Sequence, residues 1–264
     1  MTLPSFKRQS LFGVEIDAIR MSDAVDTIRH WIHAHRKLHQ DKKRCHYVVT
    51  PNVDHAVLLQ ENEALKSAYK DSDLVLADGH PIVWASRLLR RALPERVPGS
   101  DLVPRLLAEK FDKPLRVFLL GAAPGVGKRA AEKIEEQYSN VEVVGAYSPP
   151  LGFEHDDDEN EMILGRILLA NPDLLVVGLG APKQELWVHR HREKINAPVA
   201  LCVGATIDFL AGEKQRAPQW MRSTGVEWVH RMCSEPKRLV KRYAKDAWIF
   251  PQLVLQQWWT GKNA

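Results

Sequence analysis

Residues 115–138, LRVFLLGAAPGVGKRAAEKIEEQY, decide the fold. An apolar run, LRVFLL, enters a glycine-rich turn, and a helical pattern, RAAEKIEEQY, leaves it. That is a buried strand, a tight turn and a helix, the unit of a parallel sheet. The turn has much of the spacing of a nucleotide-binding P-loop, G-x-x-x-x-G-K-[ST]. With Gly127-Lys128 in register, the first glycine position holds Ala122 and the hydroxyl position holds Arg129. Two of the four fixed positions fail, and one of them is the Mg²⁺ ligand. The turn can still bind phosphate through backbone N–H groups at a helix start. Pro124 fits the first helical turn there, and Gly125 and Gly127 allow close approach, so the Gly121 turn and Pro124 are candidate binding residues. A dinucleotide site needs an acid at the end of the next strand, and VEVVGAY (141–147) ends without one.

The same alternation runs through the chain. HYVVT (46–50), LVLAD (74–78), VEVVGAY (141–147), DLLVVGLG (173–180) and VALCVGA (199–205) are short apolar runs separated by helical patterns. Near-continuous apolar strands imply a parallel sheet covered on both faces. The expected class is α/β: a Rossmann-like, doubly wound, mostly parallel sheet over residues 1–212. A helical appendage over 213–264 completes it.

The 264 residues carry a net charge of +4. Residues 213–264 alone carry +6, so the body is slightly acidic at −2. Five of the eight tryptophans, at 220, 228, 248, 258 and 259, lie in that last segment. From Leu239 a helical apolar stripe runs through Val240, Tyr243, Ala244, Ala247 and Trp248. Lys237, Arg238, Lys241, Arg242 and Lys245 stand on the other side, and Pro251 is expected to end the helix. Such a segment is either a packing helix with a solvated basic face or an interfacial helix for an anionic membrane. Terminal tryptophans favour the interface. Basic residues confined to one amphipathic segment on an acidic body argue against nucleic acid as partner. The three cysteines are scattered without metal spacing, which fits a reduced compartment. No run is long and apolar enough for a signal peptide or a membrane span.

In open parallel sheets, ligands bind beyond the carboxyl ends of the strands. Five ends here are polar or glycine-rich: Thr50-Pro-Asn52, Asp78-Gly79, the Gly121 turn, Ala-Pro-Lys183-Gln184-Glu185 and Ala-Thr-Ile-Asp208. Asp78 is either a general base held at the sheet edge or the cap of the next helix. Thr50 and Asn52 either hydrogen-bond a sugar and orient that base, or cap the helix from Val53. Asp71-Ser-Asp73 has the D-x-D spacing of metal-dependent sugar transferases, but it precedes its strand and so falls at the wrong end of the sheet. No metal and no cofactor is expected.

Seven ordered motifs, from about residue 11 to 250, resemble the WecG/TagA/CpsF glycosyltransferases, glycosyltransferase family 26. They are Thr50-Pro-Asn52, Ala77-Asp78-Gly79, Arg96-Val-Pro-Gly99-Ser-Asp101, Gly121-x-x-Pro124, Gly178-Leu-Gly180-x-Pro-Lys183-Gln184-Glu-x-Trp187 and Val203-Gly-Ala-x-x-Asp208, then the tail from Arg216 through Trp228, Arg231, Glu235 and Arg238 to Arg242-Tyr243. The resemblance implies a β-glycosyltransferase that inverts at the anomeric carbon. The donor is a UDP-sugar and the acceptor an undecaprenyl-diphosphate-linked sugar. The enzyme would work as a peripheral protein on the cytoplasmic face of the plasma membrane, in cell-surface polysaccharide synthesis. Asp78 matches the proposed base. Thr50, Asn52, Arg96 and Gln184 match pocket residues, and Arg231, Arg238 and Arg242 fall in the appendage that completes the site. His80 stands where N-acetylmannosamine-transferring members tend to carry a second glycine. N-acetylmannosamine, its uronic acid and glucose all stay open as the donor sugar. A homo-oligomer also stays open, as does a rival reading: a nucleotide-binding protein with a basic tail and no transferase activity. The absent hydroxyl at Arg129 predicts that a phosphate-release assay with Mg²⁺-ATP gives no turnover above background.

Overall fold

A computed structural model describes residues 6–37 and 44–262, the side chains of Arg238 and Lys262 excepted. The chain opens with an antiparallel hairpin, β1 (Arg8–Leu11) and β2 (Val14–Asp17), followed by α1 (Met21–Lys37). The remaining order is β3 (His46–Val49), α2 (Val53–Glu61), α3 (Glu63–Lys70), β4 (Leu74–Val75), α4 (His80–Leu88), α5 (Gly99–Leu107), β5 (Leu115–Gly121), α6 (Val126–Gln137) and β6 (Val141–Tyr147). Then come α7 (Asp157–Ala170), β7 (Leu174–Gly178), α8 (Lys183–His191), β8 (Val199–Cys202), α9 (Thr206–Leu210), α10 (Gln219–Thr224), α11 (Glu227–Ser234) and α12 (Pro236–Lys262).

Strands β3 to β8 form one sheet in the order β4-β3-β8-β7-β5-β6, with every neighbour parallel. Their apolar runs are continuous because successive side chains enter opposite, equally buried cores. Tyr47, Val49, Val177 and Cys202 face one core, which includes residues of α2, α3, α7, α8 and α12. Val48, Val176, Leu201 and Val203 face the other, shared with α1, α5, α6 and α9. The sheet is therefore wound on both faces, as the alternating pattern predicted.

Side-chain caps fix several helix starts. Asn52 accepts from the backbone N–H of His55 at α2, Asn62 from Leu65 at α3, and Asp156 from Glu159 at α7. Two local expectations fail. Helix α6 begins at Val126 with Gly125 as a left-handed N-cap, so Pro124 precedes the helix instead of sitting in its first turn. Helix α12 runs through Pro251 to Lys262. A mid-helix proline removes one backbone hydrogen bond and costs about 3 kcal/mol. Tertiary contacts on either side of it offset that cost. Phe250 and Val254 are buried, Phe250 packs on Phe12 with ring centroids 5.0 Å apart, and the Gln257 amide bridges Phe12 N–H and Ser10 C=O at 3.0 and 2.8 Å.

The Gly121 turn is a packing device. Gly121 has φ +117°, and a Cβ there would lie 2.5 Å from the Gly178 carbonyl oxygen of the neighbouring strand. Gly121→Ala should lower folding stability by at least ~2 kcal/mol, read as a shift of the urea unfolding midpoint. An unchanged midpoint would contradict the close approach of β5 and β7.

Candidate active site

Beyond the carboxyl ends of β3, β4 and β8 lies a cavity of about 450 Å³. Asn52 and Asp78 come to it from the sheet edge and Arg96 from the segment before α5. Arg231 comes from α11, and Arg242 and Asp246 from α12. The sheet thus supplies the floor and the C-terminal segment the opposite wall.

Asp78 is held by its backbone. Its N–H donates to the Pro51 carbonyl at 2.8 Å, and Leu76 N–H to Val49 at 2.9 Å, continuing the β3–β4 pairing past β4 itself. The next helix, α4, has Gly79 as N-cap and no side-chain cap bond, so Asp78 is not its cap. Among the described residues the carboxylate makes no hydrogen bond and no ion pair. Burial pushes its pKa up to about 6, and the Glu227 carboxylate adds to this. Arg231, Arg96 and the His55 ring pull the other way without restoring the ordinary value. An unbonded carboxylate poised near neutrality can take a proton from a hydroxyl.

Asn52 both caps α2 and lines the cavity. Its Oδ1 receives the His55 N–H at 3.3 Å and lies 2.9 Å from His55 Nδ1. The opposite ring nitrogen, Nε2, is 3.3 Å from the fully buried Glu185 carboxylate. Burial alone would lower the His55 pKa, but the hydrogen bond and charge of Glu185 overcome it, and the net shift is upward. The ring thus stands between Asn52 and Glu185 and ties the cap of α2 to the buried carboxylate. Among the described residues the Asn52 NH₂ makes no hydrogen bond and is the group left for a ligand.

The cationic side is uneven. Arg96 pairs with Asp101 at 3.4 Å, a carboxylate that Arg216 and Arg222 share at 2.6 and 3.6 Å. Three guanidiniums on one carboxylate leave that corner positive. Arg231 has no carboxylate partner among the described residues. Arg242 pairs with Asp54 at 3.5 Å. The backbone at the start of α4, Gly79 through Pro81, adds the N-terminal end of a helix to the same wall.

Not every expected residue reaches the cavity. Thr50 is buried and donates to the Cys202 carbonyl at 3.0 Å, tying β3 to β8. Gln184 is buried between Glu185 Oε1 (2.7 Å) and Gly204 N–H (3.1 Å). Lys183 pairs with Glu154 at 2.8 Å. None of these three lines the cavity, and neither does Gly121 or Pro124. The Arg238 side chain lies outside the described residues. The D-x-D acids sit at the other end of the sheet. Asp73 is taken up by Arg192, Arg44, His46 and the Tyr47 N–H, and Asp71 faces His189 at 2.9 Å.

The profile of the glycosyl transferase WecG/TagA/CpsF family matches residues 9–264. The chain belongs to this family. It is a glycosyltransferase. Among its relatives is the N-acetylglucosaminyldiphosphoundecaprenol N-acetyl-beta-D-mannosaminyltransferase of Staphylococcus aureus. The enzymes of strains MRSA252, MW2 and NCTC 8325 are each 29% identical to the chain over 229 residues, which is 87% of this chain and 85% of the relative. In this member of the family, sequence reasoning missed the acids of the tail wall, Glu227 and Asp246, and the His55–Glu185 pair behind Asn52. Asp246 stands four residues after Arg242, one helical turn along the same face, and that spacing was the available signal. For His55 there was none.

The raised pKa of Asp78 has a stability consequence. Its protonated form is favoured in the folded protein, so its stabilising contribution is complete below about pH 4 and is lost as the pH rises through about 6. Asp78→Asn, a neutral mimic, should raise the unfolding free energy at pH 7.5 by roughly 1–3 kcal/mol. Denaturation curves at pH 7.5 and 4 check this, and the gain should vanish at the lower pH.

Proposed function

We propose that this glycosyltransferase moves a hexosyl or N-acetylhexosaminyl group from a UDP-sugar to an undecaprenyl-diphosphate-linked sugar, with inversion. The observation that carries this reading is that the Asp78 carboxylate, unbonded among the described residues, lines one cavity with Arg231, which has no carboxylate partner among them. Asp78 takes the proton from the acceptor hydroxyl as its oxygen forms a bond to C1 of the donor sugar. The bond from C1 to the diphosphate oxygen breaks, and UDP departs with the electron pair. Arg231, the positive corner at Arg96 and the start of α4 hold the departing charge. Asn52, presenting NH₂, donates to an oxygen of the bound substrate.

The relatives' name is for transfer of N-acetylmannosamine to an N-acetylglucosamine-bearing lipid diphosphate, which makes UDP-N-acetylmannosamine the first donor to test. His80, on the cavity wall beside Arg96 and held neutral by burial and by that arginine, keeps UDP-glucose and the uronic acid in the panel. Among the described residues no helix is long and apolar enough to cross a membrane. Exposed Trp220, Trp248 and Trp259, with the basic residues of α12, support docking of the tail on the anionic inner face of the plasma membrane.

UDP release from detergent-solubilised lipid-diphosphate sugars and a UDP-sugar panel, with and without EDTA, tests the reaction. One donor should be turned over with EDTA present, and Asp78→Asn should lose about 10²–10⁴-fold in kcat. The acid limb of kcat/KM should fall tenfold per pH unit below about 6. Full activity in Asp78→Asn would remove Asp78 as the base, and loss of activity in EDTA would return attention to Asp71-Ser-Asp73.

A further inference from the structure

The wall of the cavity furthest in sequence from the sheet edge is acidic. Asp246 lines it from α12, is only 5% exposed, and among the described residues makes no hydrogen bond and no ion pair. Asp54, at the start of α2, lines it beside Asp246 and pairs with Arg242 at 3.5 Å. The Nε of Arg242 is buried without a hydrogen-bond partner. Arg242 thus pairs with Asp54 and, with Lys245, acts on Asp246 without forming an ion pair to it. Tyr243, Phe250 and Pro251 bring apolar surface to the same wall.

A buried carboxylate without a partner is costly unless something donates to it. A diphosphate is attracted to the opposite wall, where Arg231 and the Arg96 corner stand. Hydroxyl and amide N–H groups are the donors that suit it, and aromatic and proline faces suit the C–H face of a ring. The acidic wall and Asp78 also face one common group. The His55 ring acts on both Asp78 and Asp246. Burial and the nearby Asp54 push the Asp246 carboxyl up to about 6, so it is ionised at neutral pH and is held there at a cost that a donor would relieve.

We propose that Asp246, with Asp54 and Arg242 beside it, forms a subsite for a neutral, hydroxyl-rich pyranose ring next to Asp78, and that its negative charge rejects uronic acid rings. The proposal rests on the transferase reading of this cavity and deepens it. The ring belongs to the acceptor or to the donor, since both present the same hydroxyl chemistry.

Equilibrium binding to the full-length protein, followed by tryptophan fluorescence because Trp228 lines the cavity, separates these sources without needing turnover. The probes are UDP, UDP-glucose, UDP-glucuronic acid and a short-chain lipid diphosphate bearing N-acetylglucosamine. Asp246→Asn should weaken at least one neutral sugar-bearing probe about tenfold while UDP itself is held as by wild type. A loss confined to the lipid-linked sugar assigns the ring to the acceptor. A loss confined to UDP-glucose assigns it to the donor, and then the preference for UDP-glucose over UDP-glucuronic acid should narrow about tenfold. Asp54→Asn should change binding in the same direction, and thermal melts of both variants verify folding. Equal weakening of UDP and the sugar-bearing probes, or no weakening of any, overturns the subsite. Failure of the reaction reading looks different: wild type would bind the sugars, lose that binding in Asp246→Asn, and release no UDP.

Discussion

The seating of α12 on the body is the contact on which the site depends. Phe250 rests against Phe12 of the N-terminal hairpin, Arg242 reaches Asp54, and Lys245 reaches Glu61 on α2 at 3.3 Å. Leu239, fully buried, anchors the start of the same helix. These contacts carry a 27-residue helix across the carboxyl end of the sheet in spite of a proline in its middle. Without that wall Asp78 would be a solvated carboxylate at a strand end, with an ordinary acidity. With it, burial moves the group into the range where it can act as a base near neutral pH. The N-terminal hairpin, the body and the tail are therefore joined in making one group chemically competent.

The same wall divides the cavity by charge. Arg231, the Arg96 corner and the α4 start form a positive side, and Asp54 and Asp246 bring carboxylates to the other. A substrate that is a sugar at one end and a diphosphate at the other is polarised in the same sense. On the proposed reaction, such a substrate would be oriented by electrostatics. Behind the floor, the Glu185–His55 pair fixes Asn52, and Thr50 and Gln184 lock β3 and the loops around β8. These buried residues act by holding others in place.

The glycine-rich turn after β5 teaches a separate lesson. Its N–H groups have the placement to cradle a phosphate, and the space a Cβ would take at Gly121 is filled by the Gly178 carbonyl. A glycine signals close approach of something, and here that something is the neighbouring strand. The cavity lies over the other half of the sheet.

The sequence by itself determined the parallel sheet with two buried faces, because continuous apolar strands and helical spacing are local, periodic signals. It also determined the family, through ordered motifs, and it singled out Asp78, Asn52, Arg96, Arg231 and Arg242, which do meet at the cavity. Tertiary structure alone decided the rest. Thr50, Lys183 and Gln184 follow strand ends as expected but are taken up by the Cys202 carbonyl, by Glu154, and by Glu185 with the Gly204 N–H, partners that only the folded chain brings to them. Helix α12 passes Pro251 because packing against residues more than two hundred positions away in sequence outweighs a local propensity. Asp246 belongs to the site because a helix from the end of the chain folds over its beginning, and burial, charge and pKa depend on that assembled neighbourhood.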